Sequence, residues 1–127
     1  MEKNKKGKYS DEANCPVRNV LDKVGDKWSM LVVQVLDEFG VLRFNAIHKH
    51  IETISEKMLT VTLKSLEADG LVKRKVYAQI PPKVEYELTQ RGQSLVPHFH
   101  GLVEWAIKNM GDIQKSRVKF ERGSQEE

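Results

Sequence analysis

In the stretch SEKMLTVTLKSLEADG, residues 55–70, Lys57, Thr60, Val61 and Lys64 recur at the spacing of one helix face. At about 100° per residue they lie across the half of a helix opposite Leu59, Leu63 and Leu66. The chemistry open to such a face is recognition of a nucleic acid. Lysine ammoniums neutralise phosphates and release counterions. A threonine hydroxyl can donate to or accept from a base edge, and its methyl, like that of Val61, fits a thymine C5-methyl. Ser55, at the head of the helix, suits a phosphate contact together with the free N–H groups of the first turn. The plainer reading is a solvated face on which Val61 is an isolated exposed apolar residue. What surrounds the helix decides between them.

Cys15 is the single cysteine, so no internal disulfide can form; a disulfide would join two subunits or a subunit and a small thiol. It precedes Pro16, which suits the first position of a helix, and so takes the N-cap. A sulfur there faces unpaired N–H groups and the positive end of the helix dipole, with Arg18 close by, conditions that favour a reactive thiolate. The alternative is a small capping residue that happens to be cysteine. His48 and His50 are two apart, as are His98 and His100, whereas a metal pair on one helix needs three or four. No carboxylate pair, Ser/His/Asp set or Gly-rich phosphate loop accompanies them. Neither an enzyme, a metal site nor a cofactor is expected.

The elements that must hold these residues follow from periodicity. Val17, Val20, Leu21 and Val24 give a first helix its apolar stripe; Gly25 breaks it and Asp26 caps a second, with Trp28, Leu31, Val32, Val35, Leu36 and Phe39 at helical spacing. Gly40 ends that helix. A short extended piece, Val41–Arg43, leads to a third helix bearing Phe44, Ile47 and Ile51. Ser55 caps the fourth, with Ile54 and Leu59 as a hydrophobic staple, and Gly70 closes it. From Leu71 the period changes to two, giving strands over 71–77 and 84–88 around a turn that contains Pro81 and Pro82. Thr89 caps a last helix with Leu95, Phe99, Leu102, Val103, Ala106 and Met110.

This order predicts an α+β, mainly α, winged helix-turn-helix, its third and fourth helices joined by a tight turn at Glu52–Thr53. On the hairpin, alternation sets Lys73 and Lys75 on one face and Arg74 on the other. Lys75 and Lys83, nearest the tip, are candidates for phosphate or minor-groove contact; edge lysines that block aggregation are the equal alternative. Arg43 is a further phosphate candidate.

At 127 residues the chain suits one domain, and its net charge of +3 permits a nucleic-acid partner without requiring one. The polar, Lys-rich residues 1–13 read as a flexible basic arm, 14–111 as the domain, and 112–127, where periodicity fades, as a frayed tail. No apolar run reaches membrane-spanning length and no signal peptide is apparent, so a cytoplasmic protein is expected.

The segments CPVRNVLDKVGDKW, LRFNAI, ISEKMLTVTLKSLEADGLVKRKVY, PPKVEYELTQRG and LVEWA, in this order, make the chain resemble the HxlR-type family of bacterial winged-helix regulators, relatives of the MarR group. The resemblance implies a homodimer on double-stranded operator DNA with an inverted repeat, one recognition helix per half-site. It implies dimerisation through the first and last helices, which suits Val17, Val20, Leu21, Phe99, Leu102 and Trp105, although core packing can claim some of these. Some family members respond to quinones, aldehydes or oxidants through a cysteine matching Cys15. The resemblance thus implies thiol sensing here by an electrophile adduct, a mixed disulfide with a small thiol, or a Cys15–Cys15 link. A regulator of the same fold without a cysteine switch, and a winged-helix interaction module that does not bind DNA, are the rival readings.

Overall fold

A computed structural model describes residues 7–10 and 15–126. Its elements in chain order are α1 (Pro16–Val24), α2 (Lys27–Phe39), α3 (Phe44–His50), α4 (Glu56–Ala68), β1 (Val72–Tyr77), β2 (Lys83–Leu88) and α5 (Gln90–Glu126). The helix starts follow the caps read from the sequence. Cys15 Sγ accepts from Arg18 N, Asp26 from Trp28 N, Ser55 from Met58 N, and Thr89 Oγ1 from Gly92 N. Each satisfies an amide that the first helical turn leaves without a partner. Gly40 (φ 79°) and Gly70 (φ 72°) supply the left-handed backbone after α2 and α4.

The strands pair antiparallel, from Val72 opposite Leu88 to Tyr77 opposite Lys83. The predicted extended piece at 41–43 adds one bridge to them: Leu42 N donates to Tyr86 O at 3.0 Å, and Tyr86 N to Leu42 O at 2.8 Å. The hairpin is thereby tied to the entrance of α3.

Contacts divide the chain into two units, one ending at Val96 and one starting at Pro97, where the sequence reading set a single domain over 14–111. In the first unit α2 lies against α1, α3, α4 and β2. The core gathers Met30, Val32, Val33 and Leu36 from α2 with Ile47, Ile51, Ile54, Leu59, Leu63, Leu66, Leu71, Val72, Leu88 and Val96. The predicted α2 stripe is shifted: Ser29, Met30 and Val33 are buried, while Leu31 and Phe39 are exposed. Ser29 tolerates burial because its hydroxyl donates to Asp26 Oδ2 at 2.8 Å. Phe39 instead stacks on His50, with ring centroids 4.0 Å apart. At the first turn of α5 a Cβ on Gly92 would run into the Leu71 carbonyl, so glycine is what permits this approach.

The second unit is helical from Pro97 to Glu126. The expected fraying from 112 is corrected here. Gln114, Lys115, Arg117, Lys119, Glu121 and Arg122 are straight-chain residues that lose little rotamer freedom in a helix, which outweighs the fading apolar period. Of the predicted basic arm, residues 7–10 form a turn whose Ser10 carbonyl accepts from Arg18 Nη1 at 3.1 Å. Its other residues lie outside those described.

Candidate nucleic-acid interface

Three leucines fix the orientation of α4. Leu59 and Leu66 are fully buried and Leu63 is 2% exposed. Burial of that stripe turns Lys57, Thr60, Val61 and Lys64 outward, and all four are exposed. Val61, 52% exposed, stands between the two lysines. Ser55 Oγ accepts from Met58 N at 3.0 Å, so its hydroxyl hydrogen remains to be donated. Thr60 Oγ1 donates to the Glu56 carbonyl at 2.9 Å. That bond takes its only proton and leaves the oxygen as an acceptor. A base-edge donor, such as an adenine or cytosine amino group, suits it better than an acceptor.

The turn before α4 is held by chemistry the sequence did not suggest. His48 Nε2 donates to the Ile54 carbonyl at 2.8 Å, and the His48 ring lies nearly parallel to Phe44. The α3–α4 pair is therefore joined by a side-chain bond as well as by the Ile47, Ile51 and Ile54 cluster. Arg43 is the N-cap residue of α3 without a side-chain capping bond, and it is exposed.

The hairpin register separates two chemically different faces. Lys73 is opposite Glu87, Lys75 opposite Glu85, and Tyr77 opposite Lys83. Lys73 reaches Glu87 at 4.0 Å and Lys83 reaches Glu85 at 3.5 Å, while Lys75 and Lys83 approach the Tyr77 ring at 5.1 and 4.8 Å. Both predicted tip lysines thus share one face with two carboxylates, which weakens the field they offer a phosphate.

The other face carries Arg74, which the sequence reading passed over. Phe44, Thr60, Leu63, Lys64, Glu67, Arg74 and Tyr86 line a cleft of about 370 Å³ between the hairpin and α4. Arg74 and Lys64 therefore meet the same hollow, beside Thr60. The signal was present: Val72, Val76, Val84 and Leu88 share Arg74's parity, and that apolar set marks the face turned toward α4.

Cys15 is buried, 9% exposed, and its Sγ accepts from Arg18 N at 3.4 Å. Val17, Val20 and Leu21 on α1 are exposed. On α5, Leu102 and Trp105 are exposed and Phe99 is half-buried. Among the described residues no group of three or more His, Cys, Asp or Glu could hold a metal ion. No described helix is long and apolar enough to cross a membrane.

Comparison with known proteins agrees with this geometry. The model of the HxlR-like helix-turn-helix family matches residues 23–114. An uncharacterised HTH-type transcriptional regulator, BH0655 of Halalkalibacterium halodurans, is 44% identical over 107 residues, spanning 84% of this chain and 95% of the relative. The reduced form of the redox regulator HypR superposes with a TM-score of 0.70 at 42% identity, over 79% of this chain and 98% of that one. The reduced transcriptional regulator YodB from B. subtilis does so with a TM-score of 0.64 at 38% identity, over 72% and 90%. The fold is accordingly that of the winged helix-turn-helix regulators, five helices with a two-stranded sheet.

Proposed function

The chain belongs to the HxlR-like helix-turn-helix family, and from that premise we propose that this DNA-binding transcriptional regulator reads an inverted repeat as a homodimer whose operator affinity falls when Cys15 is modified. The observation that carries the DNA reading is the outward face of α4, where Lys57, Thr60, Val61 and Lys64 are exposed together above a buried leucine stripe. Lys57 and Lys64 neutralise phosphates, Thr60 and Val61 meet base edges, and Ser55 donates to a phosphate at the helix start. Arg74 joins Lys64 from across the cleft. Arg43, Lys75 and Lys83 add backbone contacts, the last two diminished by Glu85.

One recognition helix reads too few base pairs for tight specific binding, so two copies on two half-sites are the physical expectation. The exposed apolar residues Val17, Val20 and Leu21 on α1, and separately Leu102 and Trp105 with Phe99 on α5, are the residues we assign to that pairing. The thiol reading is supported by the position of Cys15 at the head of α1 and by similarity to the redox regulator HypR and to the transcriptional regulator YodB in its reduced form. Oxidation by diamide would take two electrons and two protons from two thiols, forming a disulfide from Cys15 Sγ to a small thiol or to Cys15 of the second copy. A rival is favoured by one observation: Cys15 already acts as a hydrogen-bonded cap, which is sufficient reason for a small polar residue there.

Genomic DNA selection with the reduced full-length protein, repeated after diamide, tests the reading. An enriched inverted repeat, lost on treatment and retained by Cys15→Ser, is the expected result. A repeat insensitive to diamide would remove the switch and keep the regulator. No enriched sequence would overturn DNA reading by α4.

A further inference from the structure

Side chains from α1 and from the head of α5 converge on the C-terminal end of α4. Lys23, in the last turn of α1, donates to Ser65 Oγ and pairs with the Asp69 carboxylate at 2.8 Å. From another direction Arg91 Nη1 donates to the Asp69 carbonyl at 3.0 Å, and Thr89 Oγ1 donates to the Gly70 carbonyl. The last carbonyls of a helix lack intrahelical partners and form the negative end of its dipole. Charge therefore favours both cations there, and the bonds they make are the stronger, charge-assisted kind.

The two flanks of α4 are held differently. Thr60, Leu63, Lys64 and Glu67 line the hairpin cleft. Ser65 and Asp69, one turn apart, lie on the opposite side of the outward stripe and face α1. A single contact resists separation alone. One ammonium gripping acceptors on successive turns also resists rotation and sliding of α4 against α1. The leucine stripe beneath is narrow and would tolerate small rotations without it.

We propose that Lys23 is a positioning residue for DNA reading: by holding Ser65 and Asp69 it sets the angle at which α4 presents Lys57, Val61 and Lys64 to the groove. This rests on the reading of α4 as the recognition helix. Lys23 also ends a nine-residue helix whose head is Cys15, so α1 is a rod roughly 13 Å long. A displacement at one end arrives at α4 through this ammonium.

Lys23→Met keeps the aliphatic stem and removes the charge; Lys23→Arg restores a cation. Fluorescence anisotropy with the full-length protein would compare the repeat recovered by genomic selection with a scrambled duplex of equal length. Lys23→Met is expected to weaken binding to the repeat about three- to ten-fold, with the scrambled duplex and the melting temperature little changed. Lys23→Arg is expected to recover most of the loss. Equal losses on both duplexes, or no loss, overturn the positioning role. Amide hydrogen exchange needs no operator: Lys23→Met should speed exchange over residues 66–71 while residues 59–63 stay slow. Unchanged exchange over 66–71 overturns the clamp itself. Faster exchange with no recovered repeat instead overturns DNA reading and leaves the α1–α4 clamp standing.

Discussion

Up to Val96 the core residues Ile47, Leu59 and Leu63 are closed off from solvent although Val17, Val20 and Leu21 on α1 stay exposed, whereas from Pro97 onward Trp105 is 59% exposed and Phe120 75%. The first region closes its core within one chain. The second carries Leu102, Trp105, Ile107, Val118 and Phe120 uncovered on a helix that also contains Gly101, Gly111 and Gly123. Each glycine costs a helix interior roughly 1 kcal/mol relative to alanine, which offsets part of the helix preference of the straight-chain residues around it. The contrast teaches where this fold stores its stability and where it offers a surface.

The comparison is most easily broken by truncating one residue from each side of it. Leu63→Ala should lower unfolding free energy by about 2–5 kcal/mol in denaturant titration, because the site is closed and cannot collapse without cost. Phe120→Ser should change that quantity by less than about 0.5 kcal/mol at a concentration where the protein is monomeric. Similar losses for both would erase the distinction.

A sharper form asks what each surface engages. Removing two phosphate contacts per chain with Lys57→Ala and Lys64→Ala should lower the slope of log affinity against log salt by about 1.8 per bound chain, and leave sedimentation unchanged. Trp105→Ser should do the reverse, weakening self-association about ten-fold in analytical ultracentrifugation while sparing the salt slope per bound chain. The finest test lies within the hairpin. Arg74→Ala should cost about 1 kcal/mol of operator affinity and Lys75→Ala only a few tenths, since Glu85 stands opposite Lys75 in the register. Equal effects would place DNA over the outer hairpin face instead.

Much of this architecture was legible in the residues. The caps at Cys15, Asp26, Ser55 and Thr89 are local hydrogen bonds, fixed by residue type and position, and the change of period at Leu71 marks the hairpin. The outward face of α4 followed from three leucines. What escaped was set by contacts distant in sequence. Lys23 meets Ser65 and Asp69 across more than forty positions, and nothing local to either segment announces the pairing. Arg74 was hidden by a choice of face that depends on where α4 lies. The C-terminal residues misled for another reason: helix formation there rests on straight-chain polar residues, which leave no apolar rhythm to read.

Cys15 has a consequence for timing. Its sulfur is buried and engaged by Arg18 N; if Cys15 is the switch proposed above, a reagent would reach it only when that cap opens. At low reagent concentration the reaction rate would scale with dose; at high concentration it would level off at the frequency with which the turn opens. The cap would then act as a rate-limiting door, making the protein's response to a brief, intense exposure depend on its duration more than on its strength.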